Sequence, residues 1–272
     1  MTTDEKNRFE FGANWAGFVD KHFSQERVDI SRHHLLNFVG KESLDGLSFL
    51  DIGCGSGLHS LAALQSGARC IHSFDYDQQS VATTRALHQL AKSPSAWKVS
   101  QGSVLDTVFM GGLDKADLVY SWGVLHHTGD VWNAIRLACG RVAPGGLFYL
   151  ALYSANMHID PPPNYWLDVK KRYVAARPAR RRLMEGAYVW RFLLHRKPWR
   201  LPELFVHAWR YKKSRGMNFM TDVRDWLGGW PMEFCRDADV VDFVAREAGM
   251  TLVRMKTGEA NTEFLFTKAN VE

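Results

Sequence analysis

Leu50-Asp51-Ile52-Gly53-Cys54-Gly55-Ser56-Gly57 is the stretch on which the fold turns. Upstream of it, Leu47 to Ile52 is a compact apolar run of strand length. Downstream, Leu58 to Ser66 reads as a helix stopped by Gly67. Glycines between a strand and a helix let the backbone turn tightly and let a ligand come close to it. A dinucleotide-binding loop would read G-x-G-x-x-G, its last glycine packing helix on strand. Here Gly57 follows Gly55 after one intervening residue, so that pyrophosphate fingerprint is not matched.

Outward from this loop, short apolar runs alternate with helical stretches as far as Tyr153. Arg69 to Phe74 is a second strand ending at Asp75, and Asp77 can cap the helix that runs to about Ala91 before Ser93-Pro94 breaks it. Trp97 to Ser100 and Ala116 to Ser121 are further strands. Asp130 caps a helix to about Cys139, and Gly146 to Tyr153 is the strand after the Pro144-Gly145 turn. Strands alternating with helices predict a parallel sheet wound on both faces. Asp237 to Ala248 is an amphipathic helix closed by Gly249. Met250 to Lys256 and Thr262 to Thr267 read as a hairpin.

Three units follow. Residues 1–46 form an aromatic-rich, helix-prone N-terminal cap. Residues 47–154 and 231–272 form the α/β core. Residues 155–230 form a helical insertion, rich in basic and aromatic residues. Hydrophobic residues make up 46% of the 272 and charged residues 23%, the balance of a globular protein. No apolar run approaches the roughly 20 residues of a membrane-spanning helix, and Met1 to Phe9 is too polar for a secretory signal. The four cysteines suggest neither a zinc knuckle nor a disulfide framework, so a reducing cytoplasm is expected. From Lys170 to Arg215 fifteen Lys+Arg face two acids, Glu185 and Glu203. That is +13 within a chain of net +5, leaving −8 for the remainder. Such asymmetry is read either as a surface for an anionic partner or as a solvated helical face on an acidic body.

The run Asp51 to Gly57 resembles motif I of the class I S-adenosylmethionine-dependent methyltransferases, and the resemblance extends from about Leu47 to Thr267 outside the insertion. It implies a Rossmann-like, seven-stranded methyltransferase sheet with helices on both faces and a helical lid. It also implies S-adenosyl-L-methionine as cofactor, with S-adenosyl-L-homocysteine as product. Gly53, Cys54, Gly55 and Gly57 would hold the methionine moiety, oriented by Asp51. Asp75, twenty-two residues beyond Gly53, matches the acidic residue for the ribose hydroxyls. A carboxylate can accept from both. Tyr76 is similar to the residue that packs on adenine. Ser103 and Val104 occupy the adenine-side position after strand three. Many members carry an acid where Ser103 stands, so Asp106 or a backbone carbonyl is left to meet the adenine amino group. Trp15, in the segment Phe11 to Trp15, belongs to the part that folds over the cofactor in this superfamily.

The reaction side follows strand four, where Ser121-Trp122-Gly123-Val124-Leu125-His126-His127-Thr128 resembles the Leu-His-His version of motif IV found in small-molecule methyltransferases. Ser121 is placed at the cofactor. His126 or His127 is the candidate general base, since imidazole titrates near neutrality. Adjacent side chains in an extended loop point to opposite sides, and His126 is expected to face inward. Ubiquinone-type O-methyltransferases place a carboxylate just before the histidines. Gly123 and Val124 stand there instead, so no metal is expected. Tyr153, Trp226 and Trp230 are expected on the acceptor side.

These readings predict methyl transfer to oxygen or nitrogen of a small molecule. A phosphate-bearing, sugar-like or carrier-linked acceptor would explain the basic insertion. The alternative is an RNA or other nucleic-acid methyltransferase gripping its substrate through residues 170–215. Against it, the chain lacks the Asp/Asn-Pro-Pro-Tyr signature at strand four and any recognisable RNA-binding module. A third reading is a scaffold that keeps the cofactor fold without catalysis.

Overall fold

A computed structural model describes residues 24–203, 219–258 and 260–270. Helix α1 spans Gln25–Val39. Then come β1 (Ser48–Ile52), α2 (Leu58–Gln65), β2 (Cys70–Asp75), α3 (Gln78–Leu90), β3 (Trp97–Gln101), the short α4 (Thr107–Gly111), β4 (Ala116–Trp122), a 3-10 turn (Leu125–His127), α5 (Val131–Cys139) and β5 (Val142–Tyr153). The insertion contributes α6 (Pro163–Val174), α7 (Pro178–Tyr188) and α8 (Phe219–Gly228). The chain ends on α9 (Asp237–Ala248), β6 (Met250–Thr257) and β7 (Asn261–Lys268).

The seven strands lie in the order β3-β2-β1-β4-β5-β7-β6. β1 to β5 pair in parallel, while β7 runs antiparallel to both β5 and β6. The expected Rossmann-like methyltransferase sheet is therefore present, with its hairpin at one edge. Two expectations shift. β5 begins at Val142 and takes in Pro144-Gly145, with a register irregularity against β4 between Ala116 and Leu118. α4, which the alternating pattern did not signal, is one turn capped by Asp106.

All five residues of β1 are buried, as a central parallel strand covered on both faces requires. Leu50, Ile52, Val119, Phe148, Leu150 and Leu152 face one apolar layer with α5 and α9. Phe49, Leu118, Tyr120 and Tyr149 alternate onto the other, against α1 and α2. Each fully buried Leu, Ile or Phe contributes about 1.5–3 kcal/mol of transfer free energy. α1 is clamped to the sheet edge: Arg254 on β6 donates to the carbonyls of Asn37 and Phe38 at 2.6 and 3.0 Å, and Phe38 stacks on Tyr149. The insertion helices share a smaller cluster of their own, Tyr173, Val223 and Leu227. Among the described residues no helix is long and apolar enough to cross a membrane.

The strand order reverses between β1 and β4. In open α/β sheets ligands bind at such a switch point, outside the carboxyl ends of the strands. The glycine loop follows β1 and the Leu125–His127 turn follows β4.

Candidate functional site

The loop after β1 is fixed by its own backbone. The amides of Gly53 and Cys54 donate to the Phe74 carbonyl at 2.9 and 3.0 Å, and that of Gly57 to Cys54 at 2.8 Å. Gly53 has φ +78°, and a Cβ there would lie 2.4 Å from Cγ1 of Val124, in the segment after β4. Gly57, at φ +77°, would place a Cβ 2.9 Å from the Thr84 side chain on α3. Any side chain at either position would therefore meet both backbone strain and a steric clash. Cys54 is buried, with Sγ 3.3 Å from Thr84 Oγ1, and Thr84 also donates to the Gly55 carbonyl at 3.1 Å.

Asp51 lies beneath the loop, 2% exposed. Ser60 Oγ donates to it at 2.5 Å, Ser60 and Ser73 are 2.6 Å apart, and Trp97 Nε1 donates to Ser73 at 2.7 Å. Ser60 spends its one hydrogen on Asp51, so Ser73, which accepts from the indole, is the donor to Ser60. The chain of bonds runs one way and ends on the carboxylate. Burial raises the Asp51 pKa to about 7, partly opposed by the Ser60 bond and assisted by the Asp75 charge.

Asp75, at the end of β2, is only partly buried. Its Oδ2 accepts from the Gly55 amide at 2.9 Å and its Oδ1 from the Asp77 amide at 2.9 Å, so one carboxylate ties loop, strand and helix cap together. Tyr76 beside it is 50% exposed, a flat face at the rim. Across from it, Ser103 Oγ accepts from the Leu105 amide at 3.2 Å, and Val104 is buried. Asp106 caps α4 through one oxygen, which accepts from Val108 and Phe109 at 2.9 and 3.0 Å. Its position is explained by the helix it starts. Trp15 lies outside the described residues.

The turn after β4 corrects two expectations. Ser121 is wholly buried and donates to the Ile52 carbonyl at 3.1 Å, so it joins β4 to β1 below the site and does not face a cofactor. The two histidines do not point to opposite sides. Leu125–His127 is a 3-10 turn, in which neighbouring residues splay by far less than in a strand, and the two rings touch at 4.4 Å between centroids. His126 is the buried one, 0% exposed, and neither ring nitrogen has a hydrogen-bond partner among the described residues. Burial, the His127 charge and the Lys170 charge hold its pKa well below 6.5. His127 is part-exposed, with Nδ1 2.8 Å from the Pro231 carbonyl. A carbonyl only accepts, so Nδ1 carries the proton and Nε2 the lone pair of the neutral ring. Of the pair, His127 is the more exposed.

Segment 231–235 holds this turn in place. The Glu233 amide donates to the His126 carbonyl at 2.8 Å, and the Glu233 carboxylate caps α5 at the Val131 amide, 2.9 Å away. Tyr153, at the end of β5, joins the group: its ring is 4.5 Å from His126, 6.0 Å from His127, 5.5 Å from Trp226 and 6.2 Å from both His158 and Phe234. Trp226 thus belongs to this aromatic cluster. Trp230 is not drawn into this cluster; its ring lies under the Lys171 ammonium at 4.9 Å.

Sequence reading passed over two members. His158 stacks on Trp226 at 5.6 Å, with Nδ1 2.9 Å from the Ser154 carbonyl. Lys170 is 1% exposed, donates to the Trp226 carbonyl and sits 4.2 Å above the Trp226 ring. The signal for Lys170 was there: Trp166, Lys170 and Tyr173 recur at the spacing of one helix face. Counted among fifteen cations, it read as surface.

A profile of the methyltransferase domain family matches residues 21–226, and the chain belongs to that family. It is 32% identical over 126 residues to a ubiquinone biosynthesis O-methyltransferase of Methylobacterium sp. (strain 4-46), covering 46% of this chain and 49% of the relative. With the enzyme of the same name from Methylobacterium nodulans it shares 30% over 165 residues, covering 57% and 64%. The chain thus spans about half to two thirds of the length of these curated relatives. Its fold is similar to that of magnesium protoporphyrin IX methyltransferase from Synechocystis PCC 6803, with a TM-score of 0.55 at 13% identity, covering 98% of each chain.

Proposed function

We propose that this member of the methyltransferase domain family moves the methyl group of S-adenosylmethionine to an oxygen or nitrogen of a small-molecule acceptor, leaving S-adenosylhomocysteine. The observation that carries this reading is the meeting of two loops at the switch point. Gly53 is packed by Val124, with Asp75 and Tyr76 along one loop and His127 and Tyr153 along the other. The partly buried carboxylate beside an exposed aromatic face suits a ribose and an adenine. S-adenosylmethionine supplies a methyl carbon made electrophilic by its positive sulfur, so the protein's work is alignment and exclusion of water.

In this reading Asp75 accepts from the ribose hydroxyls, Tyr76 covers the adenine, and the Gly53–Gly57 loop seats the methionine end. Asp51, buried below, supplies negative potential for the ammonium of that end. His127 takes the proton of a hydroxyl acceptor at Nε2 while Pro231 holds the tautomer. Residues 155–230 form the acceptor side over the core, 47–154 with 231–272, and residues 1–46 the N-terminal cap. The relatives named for O-methylation favour oxygen as the receiving atom. The four unpaired thiols suit a reducing cytoplasm.

A second reading has one observation in its favour. Arg172, Arg177, Arg180 and Arg182 on and around α6 and α7 are exposed, positive charge that a nucleic-acid backbone would attract. A cell-extract screen with methyl-labelled S-adenosylmethionine tests both readings. Label in a small-molecule fraction supports the first and label in RNA the second. Absence of S-adenosylhomocysteine binding by calorimetry would refute both.

A further inference from the structure

Next to Tyr153, His126, Trp226 and Lys170 make a floor of buried hydrogen-bonding groups, largely unmatched among the described residues. Lys170 carries three N–H donors, and its hydrogen bond among the described residues goes to the Trp226 carbonyl. No second hydrogen-bond acceptor for it is found among the described residues, and its ammonium lies 4.2 Å from the Trp226 ring. The indole N–H of Trp226 is buried without an acceptor among the described residues. His126 is neutral, since its pKa is held well below 6.5, so its ring offers one N–H and one lone pair, both unpaired. Among the described residues, this floor therefore holds more unmatched donors than acceptors. Its one formal charge is positive, and Asp225 acts on Lys170 only as a weaker opposing influence to burial. Buried donors in native proteins are matched in the great majority of cases, and such a surplus in one place marks a missing partner.

The walls differ from the floor. Tyr153, His158, Trp226 and Phe234 are all part-exposed, while His126 and Lys170 are closed off. His158 and Trp226 lie nearly parallel, with an interplanar angle of 14°, and Phe234 is 4.7 Å from His158. Flat faces above a cationic floor fit a planar ring that enters with its charged end first.

We propose that this floor binds a carboxylate borne by a planar aromatic acceptor, with Lys170 as the residue that selects for the negative charge. A carboxylate has two oxygens, about four lone-pair directions and no donor of its own, which suits a floor richer in donors than in acceptors. The inference rests on the methyltransferase reading and names its substrate class. Lys170 is a specificity-determining residue here and takes no part in proton transfer. Burial that lowers its pKa to about 7 fits the same picture, because an anion in the floor would restore the charged form.

The probes are benzoate and its neutral isostere benzamide, titrated by ligand-observed NMR at pH 7 into the full chain saturated with S-adenosylhomocysteine. Benzoate should bind roughly tenfold or more tightly than benzamide, as expected for a charge-assisted hydrogen-bonded contact. Lys170→Met keeps the length and apolar stem of the side chain and should fold, since an apolar replacement of a buried charge is commonly neutral or stabilising. It should bind S-adenosylhomocysteine as wild type does and lose the preference for benzoate. Trp226→Phe, which removes the indole donor and keeps a smaller aromatic face, should reduce that preference part of the way. Equal binding of the two probes, binding of neither up to the solubility limit, or a preference that survives Lys170→Met would each overturn the proposal. Failure of the wild type to bind S-adenosylhomocysteine would instead refute the methyltransferase reading on which it stands.

Discussion

On the loop side of the crevice, buried polarity is matched within the protein. Trp97, Ser73 and Ser60 pass their hydrogen bonds in one direction onto Asp51, and Asp75 binds two backbone amides. On the insertion side, His126 and Trp226 hold donors without an acceptor among the described residues, and Lys170 is buried with one hydrogen bond among them. An unmatched buried donor costs about 1–3 kcal/mol, so the second arrangement persists only where packing enforces it. The loop side resembles a seat finished before its ligand arrives. The insertion side resembles one that its ligand completes. The difference teaches where chemistry is fixed and where it varies: a shared donor molecule can be met by a self-satisfied scaffold, whereas an acceptor must be selected.

The largest expected effect tests how complete the loop side is. Asp51 has its pKa raised from 3.8 to about 7 by burial, so between those values the folded chain holds a proton that the unfolded chain has released. Stability contributed by this group is therefore lost as pH rises across that window, by roughly 4 kcal/mol in all. Asp51→Asn keeps an acceptor for Ser60 and removes the titration. Urea denaturation at pH 4.5 and pH 8 should show the variant gaining on wild type at the higher pH. Parallel pH profiles for the two proteins would mean that Asp51 does not carry the burden.

Next in size is the division of labour between the histidines. His127→Ala should lower the single-turnover rate on a hydroxyl acceptor by roughly 100-fold, about 2.7 kcal/mol, and leave cofactor affinity unchanged. His126→Ala should lower the melting temperature and leave the rate per folded molecule within a few-fold. The reverse pattern would restore His126 as the base. For Asp75, replacement by Ala should weaken S-adenosylhomocysteine binding by about 1.5–3 kcal/mol, because a charged acceptor is lost, with no change in acceptor affinity. Calorimetry that finds the same affinity as wild type would remove Asp75 from the ribose role. The smallest effect concerns Trp230, which stands outside the aromatic rim. Trp230→Phe should shift acceptor affinity by less than about 0.5 kcal/mol, the range of surface substitutions, and an effect as large as that of Trp226→Phe would extend the site to the Lys171 side.

The strands and helices of the core were legible because their signals are local. Gly53 to Gly57 mark a turn, Asp77 and Asp130 cap α3 and α5 as read, and Gly249 closes α9. The sheet itself followed from alternating strand and helix periods. Asp75 was singled out by its distance from that loop and by the family resemblance, and Tyr76 as its neighbour. β5 began early and α4 went unseen because a one-turn helix and an irregular strand start have too few residues to show a period.

What the sequence could not determine depends on segments far apart in the chain. Lys170 is buried only because Trp226, fifty-six residues later, folds its ring and carbonyl over it. Ser121 faces Ile52 and not the crevice because β4 pairs with β1, sixty-nine residues earlier. His127 gains its tautomer from Pro231, one hundred and four residues on. Periodicity and turn chemistry act over a few residues and are written in the sequence directly. Burial and hydrogen-bond partnership of a side chain depend on what packs against it, and for these three residues the partner is supplied only once the whole chain has folded.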